Sequence, residues 1–309
     1  MAISLVMTIK HLLDIETLEK HDIEMLLEKG LKMDADLQAG QHDKARLKGR
    51  IILNMFFENS TRTRISFEMA ALRLGASVIN WDNSSSSTKK GESLTDTLRC
   101  VNAYSPDCII VRHSEFKAPY TVKRLVETSV VNAGDSYRAH PSQALLDALT
   151  LLKEKGKIEG LTIAICGDVT HSRVASDNFH LLHKMGANVR VIAPEFLMPK
   201  KRPYDNFETF TSMEKGLDGC DAVMMLRNQK ERMEKSDIPD DAEYFRTFGL
   251  TPERLEIAKK DAIVMHPGPM NRGVEIADAV ADDPYRSVIF KQMANGLPMR
   301  MVILDSVME

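Results

Sequence analysis

The chain has 309 residues, 43% hydrophobic and 28% charged, which excludes a disordered chain and supplies apolar material for two cores. Its 41 Lys and Arg against 44 Asp and Glu give a net charge of −3, so there is no basic field for nucleic acid and an anionic ligand must be caught locally. No apolar run approaches the ~20 residues of a membrane span, the start lacks a basic signal-peptide region, and the four cysteines form no CxxC pair and are expected to be reduced, buried thiols in a cytoplasm.

In chain order, Ile51–Phe57 reads as a strand and Ser60–Leu74 as a helix, with Ser60 as N-cap, Gly75 as C′, and Ile65, Met69 and Leu72 on one face. Val78–Trp81 is a second strand, Asp82–Gly91 a polar, serine-rich loop, and Glu92–Tyr104 a helix with Leu94, Leu98 and Val101 on one face. Cys108–Val111 and Val130–Asn132 are strands separated by a helix at Thr121–Glu127. Ser142–Lys155 is a helix opening after Pro141. A second series follows, with strands at Leu161–Cys166, Asn188–Ala193, Cys220–Leu226 and Ala262–Met265, and a helix at Ser172–Met185 closed by Gly186. Ile289–Val307 is helical but broken near Gly296-Leu297-Pro298. Alternating strands and helices without hairpin signals predict an α/β chain of two doubly wound parallel-sheet domains joined by interdomain helices. The expected division is 1–141, 142–285, and a C-terminal helix, 286–309, returning to the first domain.

The densest chemistry is Glu58-Asn-Ser60-Thr61-Arg62-Thr63-Arg64, after a strand and at the mouth of a helix. Unbonded backbone N–H groups and the helix dipole favour an anion there. Three hydroxyls and two guanidinium forks within five residues outweigh the plainer reading of a capped helix with solvated arginines. It is not a Walker A loop, because no GxxxxGK[ST] is present. Ser84–Ser87 followed by Lys89 and Lys90 could swing a cation over a bound anion, although by itself this stretch reads as a surface loop. His140 and Gln143 follow a strand end, where open α/β sheets bind ligands, and could bond a carbonyl and an amide.

In the second half, Gly167-Asp168-Val-Thr-His171-Ser172-Arg173 lacks a full GxGxxG, and the next strand, Asn188–Ala193, ends without an acidic residue, so dinucleotide binding is disfavoured. Arg173 suits a carboxylate better. Arg227 to Arg232 places another arginine at a sheet edge, and His266-Pro267-Gly268-Pro269 makes a rigid turn whose carbonyls can accept from an amine or amide. No HExxH, CxxC or GxSxG occurs, so neither a metal set nor a serine nucleophile is expected. Arginines, hydroxyls, one histidine and carbonyl turns suit transfer between two anionic substrates, driven by electrostatics and positioning.

Phe57-Glu-Asn-Ser-Thr-Arg-Thr-Arg64, Lys89-Lys-Gly-Glu92, His140-Pro-Ser-Gln143, Arg227-Asn-Gln-Lys-Glu-Arg232 and His266-Pro-Gly-Pro269 resemble, in order, the catalytic chains of the aspartate carbamoyltransferase family. The resemblance implies transfer from carbamoyl phosphate to L-aspartate in pyrimidine synthesis, without a cofactor, by a cytoplasmic homotrimer with shared active sites. It implies that Ser60, Thr61, Arg62 and Thr63 hold the phosphate, that Thr63, Arg112 and His140 bind the carbamoyl oxygen, and that Gln143 binds the carbamoyl amide. The carbonyls of the turn at Pro267, Gly268 and Pro269 would receive amide or amine protons. Ser86 and Lys90 would come from a neighbouring chain, with the choice among Ser84 to Ser87 open. Lys90, Arg173, Arg227 and Gln229 would bind aspartate, and Arg62, Thr63, Arg112, His140 and Lys90 would carry the catalysis. Glu58 would pair with Arg173 or Arg232 on closure.

Regulatory chains are not favoured, because the stretch after His266 resembles members that work as bare trimers. Ornithine carbamoyltransferase is the nearest alternative. It shares the Ser-Thr-Arg-Thr-Arg element but holds a cationic amino acid with acidic and cysteine-bearing motifs, where this chain has Arg227 and the His266 turn. A non-catalytic phosphate sensor is opposed by the intact set of Arg62, Thr63, Arg112, His140 and Arg227.

Overall fold

The short apolar runs form strands because helices on their flanks let them bury both faces. The computed structural model describes residues 9–81, 91–199, 207–233 and 240–309. It divides into two units, one of Met1–Ser142 with Gly296–Glu309 and one of Gln143–Asn295. Residues 286–295 thus fall in the second unit, and only the last helix returns to the first.

In chain order, the first unit contains β1 (His11–Leu12), α1 (Lys20–Gln38), β2 (Ile51–Phe56), α2 (Thr61–Arg73), β3 (Ser77–Asn80), α3 (Leu94–Ala103), β4 (Cys108–His113), α4 (Ala118–Leu125) and β5 (Ser129–Asp135). Helix α5 (Pro141–Lys155) crosses the boundary. The described strands pair in the order β1-β5-β4-β2-β3, all parallel. Strand β2 therefore sits where the chain reverses direction across the sheet, with β3 on one side and β4 on the other.

The second unit contains β6 (Thr162–Cys166), α6 (Arg173–Lys184), β7 (Asn188–Ile192), β8 (Glu208–Phe210), α7 (Met213–Leu217), β9 (Ala222–Met225), α8 (Asp241–Phe248), α9 (Pro252–Leu255), β10 (Ile263–Met265), α10 (Asp278–Ala281) and α11 (Ile289–Ala294). Its sheet order is β10-β9-β6-β7-β8, again parallel throughout, with the reversal between β6 and β9. Helix α12 (Gly296–Met308) completes the first unit by packing on α1 and α2.

Three expectations are corrected. No element was predicted before Ile51, yet α1 occupies 19 residues, opened by a capping box between Glu19 and Asp22 and buried through Ile23, Leu26 and Leu27. The apolar face assigned to α2 points outward: Ile65, Met69 and Leu72 are 50%, 41% and 55% exposed, while Phe67, Ala70 and Ala71 are buried. The helix carries two apolar stripes, and periodicity does not rank them. The stripe with two alanines lets α12 approach closely, with Arg300 over the Phe67 ring at 5.1 Å. Third, Cys100 is exposed on α3; Cys108, Cys166 and Cys220 are buried, and burial pushes their thiols up.

Candidate active site

In the first unit, Ser60 is the N-cap of α2, with extended backbone angles and no capping bond from its side chain. A helix N-terminus whose serine does not cap it keeps both the hydroxyl and the early N–H groups for a ligand. Thr61, Arg62 and Thr63 are the first three helical residues; Thr63 is buried, and Thr61 and Arg62 are exposed. Strand β4 runs two residues past its expected end, so Arg112 lies within it, in register with Phe56 of β2. The carbonyl of Arg112 accepts from Phe57 N–H at 2.9 Å. Parallel pairing thereby brings Arg112 beside the loop that opens α2, at the reversal of strand order where such sheets bind ligands. Its guanidinium donates to Ala133 O at 3.3 Å and lies 3.3 Å from the Glu58 carboxylate. Glu58 thus has an ion-pair partner inside its own unit.

His140 is buried just before α5, with its Nδ1 3.5 Å from Ser142 Oγ. The turn leading to it is held by Arg138, which donates to Asp135 at 2.6 Å and to Asp14 at 2.8 Å and stacks over the Tyr120 ring at 5.0 Å. Burial opposes charge on Arg138 and Asp14, but their mutual bonds prevail: Arg138 is raised and Asp14, also bonded by Tyr120, is lowered. These residues fix the strand end that presents His140.

In the second unit, the loops leaving β6 and β9 flank the corresponding reversal. Gly167, at φ 114°, ends β6 where a Cβ would lie 2.6 Å from the Leu226 carbonyl, so only glycine lets the two loops approach. Asp168, fully buried, accepts from His171 Nδ1 at 2.8 Å and from Gln229 N–H at 3.0 Å. The His171 carbonyl accepts from Gln229 Nε2 at 2.9 Å and Arg232 Nη1 at 2.8 Å. Arg173 starts α6 behind Ser172, whose side chain caps Ala175 N–H, and is largely buried. Arg227 follows β9, half-buried. The sheet topology therefore places Arg173, Arg227 and Gln229 after β6 and β9, the two strands that flank the switch point.

Gln143 donates through Nε2 to Asp147 at 2.9 Å on the same helix. Gly268, at φ 69°, sits in the turn after β10, and its N–H donates to His266 Nδ1 at 2.9 Å. Ser86 and Lys90 lie outside the described residues. Sequence reasoning missed the roles of Asp168 and Asp147. The available signals were an acid directly after a strand-ending glycine and a Gln-x-x-x-Asp spacing on one helix face. Among the described residues, no group of three His, Cys, Asp or Glu could hold a metal ion, and no helix is long and apolar enough to cross a membrane.

Comparison with known families places this geometry. Residues 10–153 match the carbamoyl-P binding domain of aspartate/ornithine carbamoyltransferase, and residues 159–307 match its Asp/Orn binding domain. The chain is 52% identical over 296 residues to the aspartate carbamoyltransferase catalytic subunit of Granulibacter bethesdensis, covering 96% of this chain and 94% of the relative. It is 52% identical over 297 residues to that of Methylorubrum populi, with the same coverage. Among solved structures it resembles aspartate transcarbamoylase from Trypanosoma cruzi in complex with N-(phosphonacetyl)-L-aspartic acid, with TM-score 0.87, 32% identity, and coverage of 97% and 96%. It also resembles ornithine carbamoyltransferase from Pyrococcus furiosus, with TM-score 0.89, 28% identity, and coverage of 97% of each chain. The backbone is thus common to both substrate classes, and the side chains must separate them.

Proposed function

The chain belongs to the aspartate/ornithine carbamoyltransferase family, and on that premise we infer that it transfers the carbamoyl group of carbamoyl phosphate to the amine of L-aspartate. The products are N-carbamoyl-L-aspartate and phosphate, a step of pyrimidine (UMP) biosynthesis. The observation that carries the choice of aspartate is the cationic switch point of the second unit. Arg173 and Arg227 flank it beside Gln229, a set suited to two carboxylates and hostile to an ornithine ammonium.

The roles follow from the chemistry each position can supply. Ser60, Thr61, Arg62 and Thr63, at the mouth of α2, hold the phosphate. Thr63, Arg112 and His140 donate to the carbamoyl oxygen, where negative charge develops as the amine attacks. Gln143 and the carbonyls of the turn at Pro267, Gly268 and Pro269 accept from the carbamoyl amide and the amine. Arg173 binds the α-carboxylate of aspartate, and Arg227 with Gln229 its side-chain carboxylate. As the C–N bond forms and the C–O bond to phosphorus's oxygen breaks, the departing phosphate takes the amine proton. No step calls for a cofactor.

The working assembly in this reading is a cytoplasmic homotrimer in which Lys90 and a serine of the same stretch, Ser86 by motif, reach the neighbouring chain's site. The exposed apolar stripe of Ile65, Met69 and Leu72 supports a covered α2 face. The test is incubation with carbamoyl phosphate and either L-aspartate or L-ornithine. Carbamoyl-aspartate and phosphate should appear in equal amounts with aspartate, and a ureido product from ornithine alone would overturn the reading.

A further inference from the structure

Carbamoyl phosphate differs from other acyl phosphates in one respect that a site can read: its acyl carbon carries an NH2 group. Reading it requires hydrogen-bond acceptors aimed at that nitrogen. Gln143 can accept only through its Oε1, and an exposed glutamine amide has no preference between its two ends.

The second unit removes that ambiguity. The Asp147 carboxylate, fully buried on α5, accepts from Gln143 Nε2 at 2.9 Å and from Gln292 Nε2 at 2.7 Å through the same oxygen. Its other oxygen accepts from Asn178 Nδ2 at 2.9 Å. A carboxylate only accepts, so each amide must turn its NH2 toward Asp147 and its oxygen away. The Oε1 of Gln292 accepts from the His266 backbone N–H at 2.8 Å. The Nδ1 of His266 accepts from Gly268 N–H, so that nitrogen is unprotonated, and Nε2 lies 3.1 Å from Glu275 Oε1, which fixes the ring's proton there. Glu275 also accepts from Asn271 N–H at 2.5 Å, which closes the turn on its far side. His266, Glu275, Asn178 and Gln292 are all buried.

We propose that Asp147 is a positioning residue that makes the site read the carbamoyl NH2: one buried relay, Gln143–Asp147–Gln292–His266–Gly268, orients both sets of acceptors assigned to that nitrogen. It rests on the roles proposed above for Gln143 and for the turn. Asp147 touches neither substrate. It acts by direction rather than by charge, because the relay uses its oxygens as acceptors. Within the relay each link fixes the orientation of the next, so one missing member leaves the others misdirected.

The experiment compares carbamoyl phosphate with acetyl phosphate, which has the same charge and shape but a methyl group in place of NH2. Dissociation constants for both are measured on the wild type, Asp147→Leu, Asp147→Asn, Gln292→Met and Gln143→Ala, with acetyl phosphate read as a competitor. Asp147→Leu keeps the volume and removes every acceptor. It should weaken carbamoyl phosphate by ~10–100-fold, the loss of one or two directed bonds, while acetyl phosphate changes less than about threefold. Asp147→Asn should restore most of the preference. Its Oδ1 still accepts from both glutamines, and its new NH2 is accommodated once the Asn178 amide turns over, giving up its Nδ2 bond to Val174 O and presenting the Oδ1 that has no hydrogen-bond partner in the wild type. Should the leucine variant not fold, Gln292→Met cuts the relay at one link and should lower the preference by ~3–10-fold. A purely structural role would weaken both acyl phosphates together. If Gln143→Ala removes the preference and the Asp147 and Gln292 variants keep it, the relay is wrong; if Gln143→Ala also keeps it, the assignment of Gln143 is wrong.

Discussion

In the proposed reading the two units grip an anion at the switch point of a parallel sheet by opposite means. In the first, the donors are contiguous: Ser60 to Thr63 occupy one helix mouth, and Arg112 joins them through a single strand pairing. In the second, Arg173, Arg227, Gln229 and the turn at Gly268 come from loops as far as 95 positions apart. Buried polar groups assemble these loops: Asp168 bridges those after β6 and β9, and Asp147 connects α5 to α11 and β10. A helix mouth is a prefabricated anion site, whereas loops from separate strands need internal acceptors to hold their geometry.

The largest test of this contrast is Arg62→Ala. Removing the fork at the contiguous site should lower kcat by ~10²–10⁴, as for loss of one transition-state donor, while unfolding transitions stay unchanged because Arg62 is exposed. Near-normal turnover would remove Arg62 from the phosphate site. In the dispersed site, Arg227→Lys keeps the charge and loses the planar fork. The aspartate concentration at half-saturation should rise by ~10–100-fold. A lysine variant that saturates like the wild type would mean the side-chain carboxylate is held elsewhere.

The contrast sharpens further if the contiguous site is incomplete in its own chain. Lys90→Ala and His140→Ala should each be nearly inactive, and mixed, reassembled trimers should recover about one quarter of wild-type activity, since half the sites carry an intact His140 and half of those meet an intact Lys90. No recovery in well-assembled hybrids would place Lys90 within its own chain's site or outside the site.

The smallest effect lies away from both sites. His11, on β1, accepts from Val130 N–H at 3.2 Å. Burial, with Lys123 and Lys10 nearby, lowers its pKa from 6.5 to about 4. The fold favours the neutral ring, so its contribution is complete above pH 6.5 and is lost as pH falls through about 4. Solvent reaching the half-buried ring limits the loss to about 1 kcal/mol. Urea unfolding at pH 7 and pH 4.5 should show that loss in the wild type and not in His11→Gln. Equal pH dependence in the two proteins would assign the loss to other groups.

The contrast also explains what the sequence discloses. The strands from Ile51 to Met265 and the helix mouth at Ser60 are local features, carried by apolar runs and a dense cluster of donors, and they are legible. The orientation of α2 is not, because choosing between the Ile65 and Phe67 stripes depends on α12, more than 200 residues away. Helix α1 escapes notice for a related reason: its mean hydropathy is low and its cap is a Glu19–Asp22 pair rather than a serine or threonine. The second unit's arginines are visible one by one, but Asp147 and Asp168 look like ordinary acids until the fold buries them among amide donors.

The most direct measurement of the division of labour is calorimetric titration of carbamoyl phosphate, without aspartate, into the wild type, Arg62→Ala and Arg227→Ala. Arg62→Ala should weaken binding on the order of 10²-fold, the worth of a charged hydrogen-bonding fork, and Arg227→Ala should leave it within about threefold. Wild-type affinity in Arg62→Ala, or equal losses in the two variants, would contradict a phosphate site in the first unit and an aspartate site in the second.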